Sequence, residues 1–292
     1  MFALKEIALK NYLSLIKFSH TIFALPFALI GFTLAVSQEA YDFSWEKLVF
    51  VLLCMIFARS AAMAFNRYID RDVDTANPRT AEIREIPNGT IKAKSALVFV
   101  IANCLLFTAS SFLLNPLCFY LSPIALLVIL GYSYTKRFTA LCHLVLGLGL
   151  SLSPIGAYLA VTAQFHLLPV LFSCIVLFWV SGFDIIYALQ DEKFDKKFKL
   201  HSIPVLLGNK NALLFSRLLH LITSSILIYI GLNYFINSTL FWIACSIFIA
   251  LLIKQHRLVR ADDLSKVNLA FFTSNGIASV VFGILIILEL SL

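Results

Sequence analysis

Apolar runs recur along the whole chain, and each is about as long as the roughly 20 residues that a helix needs to cross a membrane. Lipid offers the backbone no hydrogen-bond partner, so lipid-exposed segments must be helices or closed barrels. The alternating ten-residue patterns of barrel strands are absent. The sequence therefore predicts an all-α integral membrane protein with nine transmembrane helices. The predicted spans are residues 18–36, 48–66, 95–114, 117–134, 140–161, 168–190, 211–232, 239–255 and 268–290.

The composition also indicates a membrane protein and excludes an ordinary soluble domain. Hydrophobic residues make up 60% of the chain and charged residues 13%, against about 25% charged residues in soluble domains. No linker rich in Pro, Gly or Ser divides the chain, which indicates one domain over residues 1–292. The six cysteines fall singly in apolar runs without C-x-x-C spacing, so we interpret them as small core residues.

Lysine and arginine residues cluster in alternate loops, and this predicts the orientation because such residues are retained on the cytoplasmic side. They precede the first predicted span and follow every even-numbered span, whereas the other loops contain Lys47 and almost no other basic residue. The pattern predicts a cytoplasmic N-terminus and a C-terminus on the other side. The expected location is a bacterial or organellar inner membrane. It also accounts for the net charge of +7, so no nucleic-acid partner is expected.

Two acid-rich segments follow the second and sixth predicted spans, where carboxylates are costly unless a ligand stabilises them. Helical residues four, seven or eleven apart return to one face within about 40°, which gives each segment three oxygen donors on one side and turns Asp72 away. Hard divalent cations such as Mg²⁺ prefer oxygen ligands and often share them with a phosphate substrate. The alternative is a pair of solvated helix ends neutralised by lysine and arginine. The donors are Asn66, Asp70 and Asp74 in the first segment and Asp184, Asp191 and Asp195 in the second.

Basic residues lie beside and after the acidic segments, and such residues suit the binding of a diphosphate. The arginines interpreted in this way are Arg67, Arg71, Arg79 and Arg84. The retention of basic residues on the cytoplasmic side is the alternative explanation for any single loop residue. Arg59 differs, because it lies within a predicted span, about two turns before Asn66 and on the same face. We expect Arg59 to bind an anionic group of the ligand.

The two acidic segments resemble the signature motifs of the UbiA-type integral-membrane prenyltransferases. NRYIDRDVD is similar to the first motif of that family, N-x-x-x-D-x-x-x-D, and DIIYALQDEKFD is similar to the second, D-x-x-Y-x-x-x-D-x-x-x-D. The similarity continues through NPRTAEIREIPNG, YSYTKRFT and LHSIPVLLG, and so covers most of the chain. It implies a nine-helix bundle around a central cavity, with cytoplasmic cap loops that carry both motifs.

Three further blocks, KFSHTIFALPFA, ARSAAMAFNR and SGFDIIYALQD, resemble the branch of 4-hydroxybenzoate polyprenyltransferases and its relatives in the futalosine route to menaquinone. The resemblance implies Mg²⁺-dependent transfer of a polyprenyl group from polyprenyl diphosphate to a small aromatic acid in ubiquinone or menaquinone synthesis. The implied acceptor is 4-hydroxybenzoate or 1,4-dihydroxy-6-naphthoate, and Arg67 stands where many 4-hydroxybenzoate enzymes have Asp. Two alternatives stay open: a non-quinone acceptor within the family, and a transporter of divalent cations or anions.

The resemblance also implies roles for individual residues. The Mg²⁺ ligands would be Asn66, Asp70, Asp74, Asp191 and Asp195. The substrate-binding arginines would be joined by Lys17, Lys136 and Ser202. The aromatic shield of the allylic cation, formed when diphosphate leaves, would be Tyr132, Tyr134 and Tyr187. Asp184 would polarise the acceptor hydroxyl or assist proton loss, with a partnership to the metal or a tyrosine as the alternative, and His20 and His201 receive no catalytic role.

Overall fold

The computed structural model of the protein describes residues 11–16 and 18–292, with side chains for residues 11–16 and 21–292. Helices are the regular elements of these ranges, and no β-strand occurs within them. The predicted all-α fold class is therefore confirmed. The long helices are α1 (Leu25–Val36), α2 (Trp45–Ile69), α3 (Ala93–Leu114), α4 (Pro116–Thr135), α5 (Cys142–Thr162), α6 (Leu167–Ala188), α7 (Ile203–Tyr234), α8 (Thr239–Leu258) and α9 (Asn275–Ser291).

The number of membrane-spanning helices is close to the predicted nine. Eight helical segments of the described chain, those that contain α2 to α9, are long and apolar enough to cross a membrane. The remaining apolar segment, Thr21–Val36, is shorter, so the first predicted span is correctly placed but contains less α-helix than expected. A 3₁₀-helix, Phe18–Phe23, precedes α1. Pro26 lies in the first turn of α1, where its missing N–H removes a donor that would have no helical partner.

The start of α7 differs from the sequence prediction. The structure begins this helix at Ile203, eight residues before the predicted span of residues 211–232. Ser202 precedes the helix, and its Oγ accepts a hydrogen bond from the backbone N–H of Val205 at 3.4 Å. Gly208 has a φ of 73° inside the helix, a conformation that glycine adopts without steric cost. The first turn of α7 is therefore separated from the rest of the helix by a kink.

A single residue, Asn115, joins α3 to α4 and also attaches this turn to α5. Its Oδ1 accepts a hydrogen bond from the Cys118 N–H at 2.9 Å, which caps α4. Its Nδ2 donates to the carbonyl oxygens of Leu159 at 2.8 Å and Ala160 at 3.1 Å, near the end of α5. One side chain therefore fixes the ends of three helices that surround a common space.

Large buried aromatic side chains fill the core between α1, α6, α8 and α9: Phe27, Phe172, Trp179, Phe248 and Phe282. α1 packs closely against α5, because Gly31 leaves no room for a Cβ beside the backbone of Pro154. α2 packs instead on α3 and α4. A cavity consequently lies among α2, α3, α4, α5 and α6.

Two short helices cover one end of the bundle. The first cap helix, Arg71–Ala76, follows α2, and the second cap helix, Glu192–Lys197, follows α6 after the 3₁₀ turn Leu189–Asp191. Asp70 terminates α2 with a φ of −86° and a ψ of 7°. Each acidic segment is therefore divided between a long helix and a cap helix, and the predicted single helical stripe is interrupted in both.

Candidate active site

The first acidic segment forms a hydrogen-bonded group at the end of α2. Asn66 Nδ2 donates to Asp70 Oδ2 at 2.9 Å, and Arg67 Nη1 donates to Asn66 Oδ1 at 3.1 Å. Burial and the neighbouring Asp74 carboxylate raise the pKa of Asp70 from 3.8 to about 6. Asp74 itself is buried and forms an ion pair with Arg84. A positive charge placed between Asp70 and Asp74 would relieve their repulsion.

The second acidic segment lies against cations from other parts of the chain. Asp191 accepts two hydrogen bonds from Arg79, at 3.0 Å from Nε and 2.6 Å from Nη2. Asp195 is fully buried and lies 2.8 Å from Lys136 Nζ. Burial raises the pKa of Asp195, and the ammonium group of Lys136 offsets this only in part. Because Arg79 follows the first segment and Asp191 belongs to the second, this pair shows that both segments meet at one end of the bundle.

The described side chains are compatible with a bound divalent ion in their chemistry, although they do not form a preassembled metal cage. No three His, Cys, Asp or Glu side chains within the described ranges are gathered closely enough to hold a metal ion. The acidic donors are all oxygen atoms, which suits Mg²⁺, and Mg²⁺ usually shares its coordination with substrate phosphates and water. Burial first and the Asp74 carboxylate second raise the pKa of Asp70, and a bound cation would offset both effects.

The structure separates the basic residues that the sequence grouped together. Arg79, Arg84 and Lys136 contact the acids as described above, and Arg67 contacts Asn66. Arg71 does not join this group. Arg71 is exposed at the start of the first cap helix, where its Nη1 donates to the Tyr68 carbonyl at 2.5 Å and its guanidinium lies 4.6 Å from the centre of the Tyr68 ring.

Two further predicted substrate-binding residues are Ser202 and Lys17. Ser202 is buried, and its hydroxyl caps α7 by accepting the Val205 N–H, which gives it a structural role in this conformation. Lys17 lies outside the described residues.

A cavity of about 430 Å³ lies beneath the acidic segments. Its lining is mostly apolar, and among the described residues that line it the charged ones are Arg59 of α2 and Asp184 of α6. Tyr132 of α4 also lines the cavity. Asp184 lies about one helical turn from the end of α6, and Arg59 about three turns from the end of α2. The polar part of the cavity is therefore within the bundle but next to the acidic segments.

The three predicted tyrosines have different positions. Tyr132 lines the cavity, but Tyr134, two residues further along α4, is 45% exposed and packs against Phe65. Residues two apart on a helix point about 160° apart, so α4 cannot present both rings to the same space. The Tyr187 ring packs at 4.3 Å against Phe271, and its hydroxyl accepts a hydrogen bond from Arg79 Nη1 at 3.3 Å. Tyr187 thus contacts Phe271 in the cavity wall and also Arg79, the partner of Asp191.

Among the residues with polar contacts at the site, Arg137 and His143 were not predicted from the sequence. Arg137 lies 2.8 Å from Asp72 and 3.7 Å from Asp70, and it donates to the Ile69 carbonyl at 2.7 Å. Its position next to Lys136 in the YSYTKRFT block was a signal that could have identified it.

The second unpredicted residue is His143, the second residue of α5, whose Nδ1 lies 2.7 Å from Asp184 Oδ2. Only the fold could reveal this contact, because His143 and Asp184 lie on different helices and 41 residues apart in the sequence.

Comparisons of the sequence and of the structure with known proteins agree on one kind of protein. The family model of the "UbiA prenyltransferase family" matches residues 24–276. The chain is 31% identical over 245 residues to a 4-hydroxybenzoate octaprenyltransferase of Vibrio parahaemolyticus, covering 82% of this chain and 83% of that protein. It is 32% identical over 241 residues to an enzyme of the same name from Aeromonas hydrophila, with 82% of both chains covered.

Solved structures of UbiA homologues have the same fold. The apo form of a homologue from Aeropyrum pernix matches with a TM-score of 0.81 at 30% identity and covers 92% of this chain and 98% of its own. A homologue from Archaeoglobus fulgidus bound to DMAPP and Mg²⁺ matches with a TM-score of 0.77 at 21% identity, covering 97% of this chain and 99% of its own. The chain therefore belongs to the UbiA prenyltransferase family and is an integral membrane enzyme.

Proposed function

We propose that this enzyme transfers a polyprenyl group from polyprenyl diphosphate to a hydroxylated aromatic acid, 4-hydroxybenzoate or 1,4-dihydroxy-6-naphthoate, in ubiquinone or menaquinone synthesis. The observation that carries the proposal is the pair of charged residues in a mostly apolar cavity, Arg59 and Asp184. An aromatic acid with a hydroxyl group could place its carboxylate at Arg59 and its hydroxyl at Asp184. The names of the bacterial relatives support this acceptor class.

The acidic end of the bundle is the proposed donor site. Asn66, Asp70, Asp74, Asp191 and Asp195 would hold Mg²⁺ together with the diphosphate of the donor. Mg²⁺ bound there would neutralise the diphosphate and so make it a better leaving group. The homologue that holds DMAPP and Mg²⁺ supports this assignment.

The basic residues of the same end would bind the diphosphate oxygens. Arg79, Arg84 and Lys136 now neutralise the carboxylates, so on donor binding they would exchange these partners for phosphate oxygens. The same cations would then serve both states of the site, with and without the donor. Arg137, which reaches Asp70 at 3.7 Å, is a further member of this proposed set.

The apolar cavity is the proposed place of carbon–carbon bond formation. Its walls would exclude water from the allylic cation, while the rings of Tyr132, Phe183 and Phe271 would offer aromatic faces without a strong nucleophile. The bond between the prenyl C1 and the diphosphate oxygen breaks, and C1 bonds to the ring carbon next to the acceptor hydroxyl. Arg59 would hold the carboxylate of the acceptor and Asp184 its hydroxyl.

We further propose the orientation predicted from the basic loops, with the acidic end of the bundle at the cytoplasmic face of an inner membrane. Diphosphates and small aromatic acids are water-soluble at their charged ends, so this orientation gives both substrates access from the cytoplasm. Family membership favours group transfer over the transporter alternative.

The test is a transfer assay with the purified protein in lipid. Mg²⁺, a polyprenyl diphosphate and each of the two acceptors are incubated in parallel, and prenylated products are identified by mass spectrometry. We expect a product with one acceptor, loss of product after chelation of Mg²⁺ and recovery when Mg²⁺ is added back. Arg260→Ala, at an exposed position between α8 and α9, is a matched control that should keep full activity. Folded, donor-binding protein that prenylates neither acceptor would disprove the proposed acceptor class.

A further inference from the structure

We propose that His143 is a positioning residue, which holds Asp184 so that one carboxylate oxygen receives the proton of the acceptor hydroxyl. The inference rests on the proposed prenyl transfer to a hydroxylated aromatic acid. It adds a residue from outside both acidic segments. It also places the proton transfer in the cavity at the hydroxyl group of the acceptor.

The surroundings of His143 determine which of its nitrogens carries the proton. The residue is 4% exposed, and its Nε2 accepts a hydrogen bond from the backbone N–H of Ile203 at 3.4 Å. A backbone N–H can only donate, so Nε2 acts as an acceptor. The proton of the neutral ring is therefore on Nδ1, which lies 2.7 Å from Asp184 Oδ2 and donates to it. His143 thus acts on the carboxylate and offers no free base of its own.

The hydrogen bond leaves one Asp184 oxygen for a ligand. Oδ2 is engaged by His143, and within the described part of the chain no hydrogen bond to Oδ1 occurs. The Asp184 side chain is 22% exposed and lines the cavity. A carboxylate fixed at one oxygen and open at the other is suited to receive a proton from a molecule in the cavity.

His143 also connects Asp184 to the end of the bundle where the donor is proposed to bind. It belongs to the first turn of α5, it accepts from the first residue of α7, and its partner belongs to α6. Three helices therefore define the position of one carboxylate. Such fixed placement matters because an error of about 1 Å in a reacting group can lower the rate about 100-fold.

The proposed step conserves atoms and charge. The prenyl C1 bonds to the ring carbon next to the acceptor hydroxyl, and the bond between C1 and the diphosphate oxygen breaks. The hydroxyl proton moves to Asp184 at the same time. The proton on that ring carbon then passes to the released diphosphate, and the proton on Asp184 returns to the acceptor oxygen. The products are the prenylated aromatic acid and protonated diphosphate. His143 keeps its own Nδ1 proton throughout.

Substitution of His143 separates this role from a purely structural one. His143→Leu should lower kcat by about 10- to 100-fold with the KM for polyprenyl diphosphate unchanged. His143→Asn retains a donor close to the Nδ1 position and should recover part of the loss. The decisive readout is a series of ring-substituted acceptors with increasingly acidic hydroxyls. The ratio of wild-type to variant kcat should shrink along the series, because an acidic hydroxyl depends less on a well-placed carboxylate.

Two results for the His143 variants would overturn the proposal. A wild-type kcat in His143→Leu overturns the proposal, and so does a loss that is the same for every acceptor and is not recovered by His143→Asn. If His143→Leu does not accumulate in the membrane, His143→Ala assayed with and without added imidazole decides: rescue by imidazole supports the role, and absence of rescue overturns it. A failure of the proposed function itself looks different, because wild-type protein would then prenylate neither acceptor.

Discussion

Alanine substitution should have opposite effects on stability at two glycines. Gly31 of α1 lies in close contact with α5, whereas Gly131 of α4 has open space beside it. A Cβ on Gly31 would collide with the Pro154 carbonyl oxygen and would lie 2.8 Å from the carbonyl carbon and 2.9 Å from the Cα of the same residue, whereas a Cβ on Gly131 of α4 would meet nothing within 4 Å. Ordinary van der Waals contact begins near 3.4 Å. Gly31→Ala therefore forces the two backbones at least 0.6 Å further apart to clear the carbonyl carbon (3.4 − 2.8), and further still to clear the carbonyl oxygen. No side-chain rotation can relieve this, because the atoms that clash belong to the Pro154 backbone.

Two opposing effects determine how much Gly31→Ala changes the free energy of unfolding. Overpacking typically costs about 1–3 kcal/mol, and we take about 3 kcal/mol because the obstacle is backbone. Alanine gains about 1 kcal/mol over glycine in a helix. The net destabilisation of Gly31→Ala is then about 2 kcal/mol, or a Tm lower by about 4–8 °C. Gly131→Ala receives only the helical gain, so its Tm should be equal to or above that of the wild type.

The assay is thermal unfolding of both variants in the same detergent, followed by intrinsic fluorescence at one scan rate. Gly131→Ala serves as the matched control for the change in helix propensity. A Tm of Gly31→Ala at or above the wild-type value would refute the reasoning, since it would mean that α1 and α5 are not in close contact at Pro154.

Three further predictions concern the site and the core. Arg59→Ala should raise the KM for the aromatic acid by about 10- to 100-fold, because one charged hydrogen bond is lost, while the KM for polyprenyl diphosphate stays constant. Equal effects on both KM values in steady-state assays would disprove the proposal that Arg59 binds the acceptor carboxylate. Asp191→Asn, which removes the charge that now pairs with Arg79, should lower kcat by about 100-fold or more at saturating Mg²⁺, and wild-type turnover would show that Asp191 is not part of the donor site. Asn275→Leu leaves the buried Trp179 N–H without its acceptor and should cost about 1–3 kcal/mol, measured as a lower Tm; combining it with Trp179→Phe should cost less than the sum of the two single changes.

The parts of this fold that the sequence predicted are those governed by local composition. Apolar length located all the long helices, because a membrane span must satisfy its own backbone. The two acidic segments were visible because charged residues are rare beside apolar runs. Apolar length did not locate the first turn of α7, which begins at Ile203, eight residues before the predicted span.

The details of the site depended on relations between helices. Tyr132 and Tyr134 looked equivalent in the sequence, but the cavity lies on only one side of α4. His143 could not be distinguished from an ordinary core histidine until α5 and α6 were placed side by side. The pairing of Arg79 with Asp191, 112 residues away, likewise follows only from the meeting of the two cap segments.

The most direct test of the central claim is a structure of the wild-type protein in lipid with Mg²⁺, an unreactive polyprenyl diphosphate analogue and 4-hydroxybenzoate or 1,4-dihydroxy-6-naphthoate. The account predicts the diphosphate between the two acidic segments, the acceptor carboxylate at Arg59 and its hydroxyl within hydrogen-bond distance of Asp184. An aromatic acid bound outside the cavity, or bound inside it with its carboxylate away from Arg59 and its hydroxyl away from Asp184, would contradict the account.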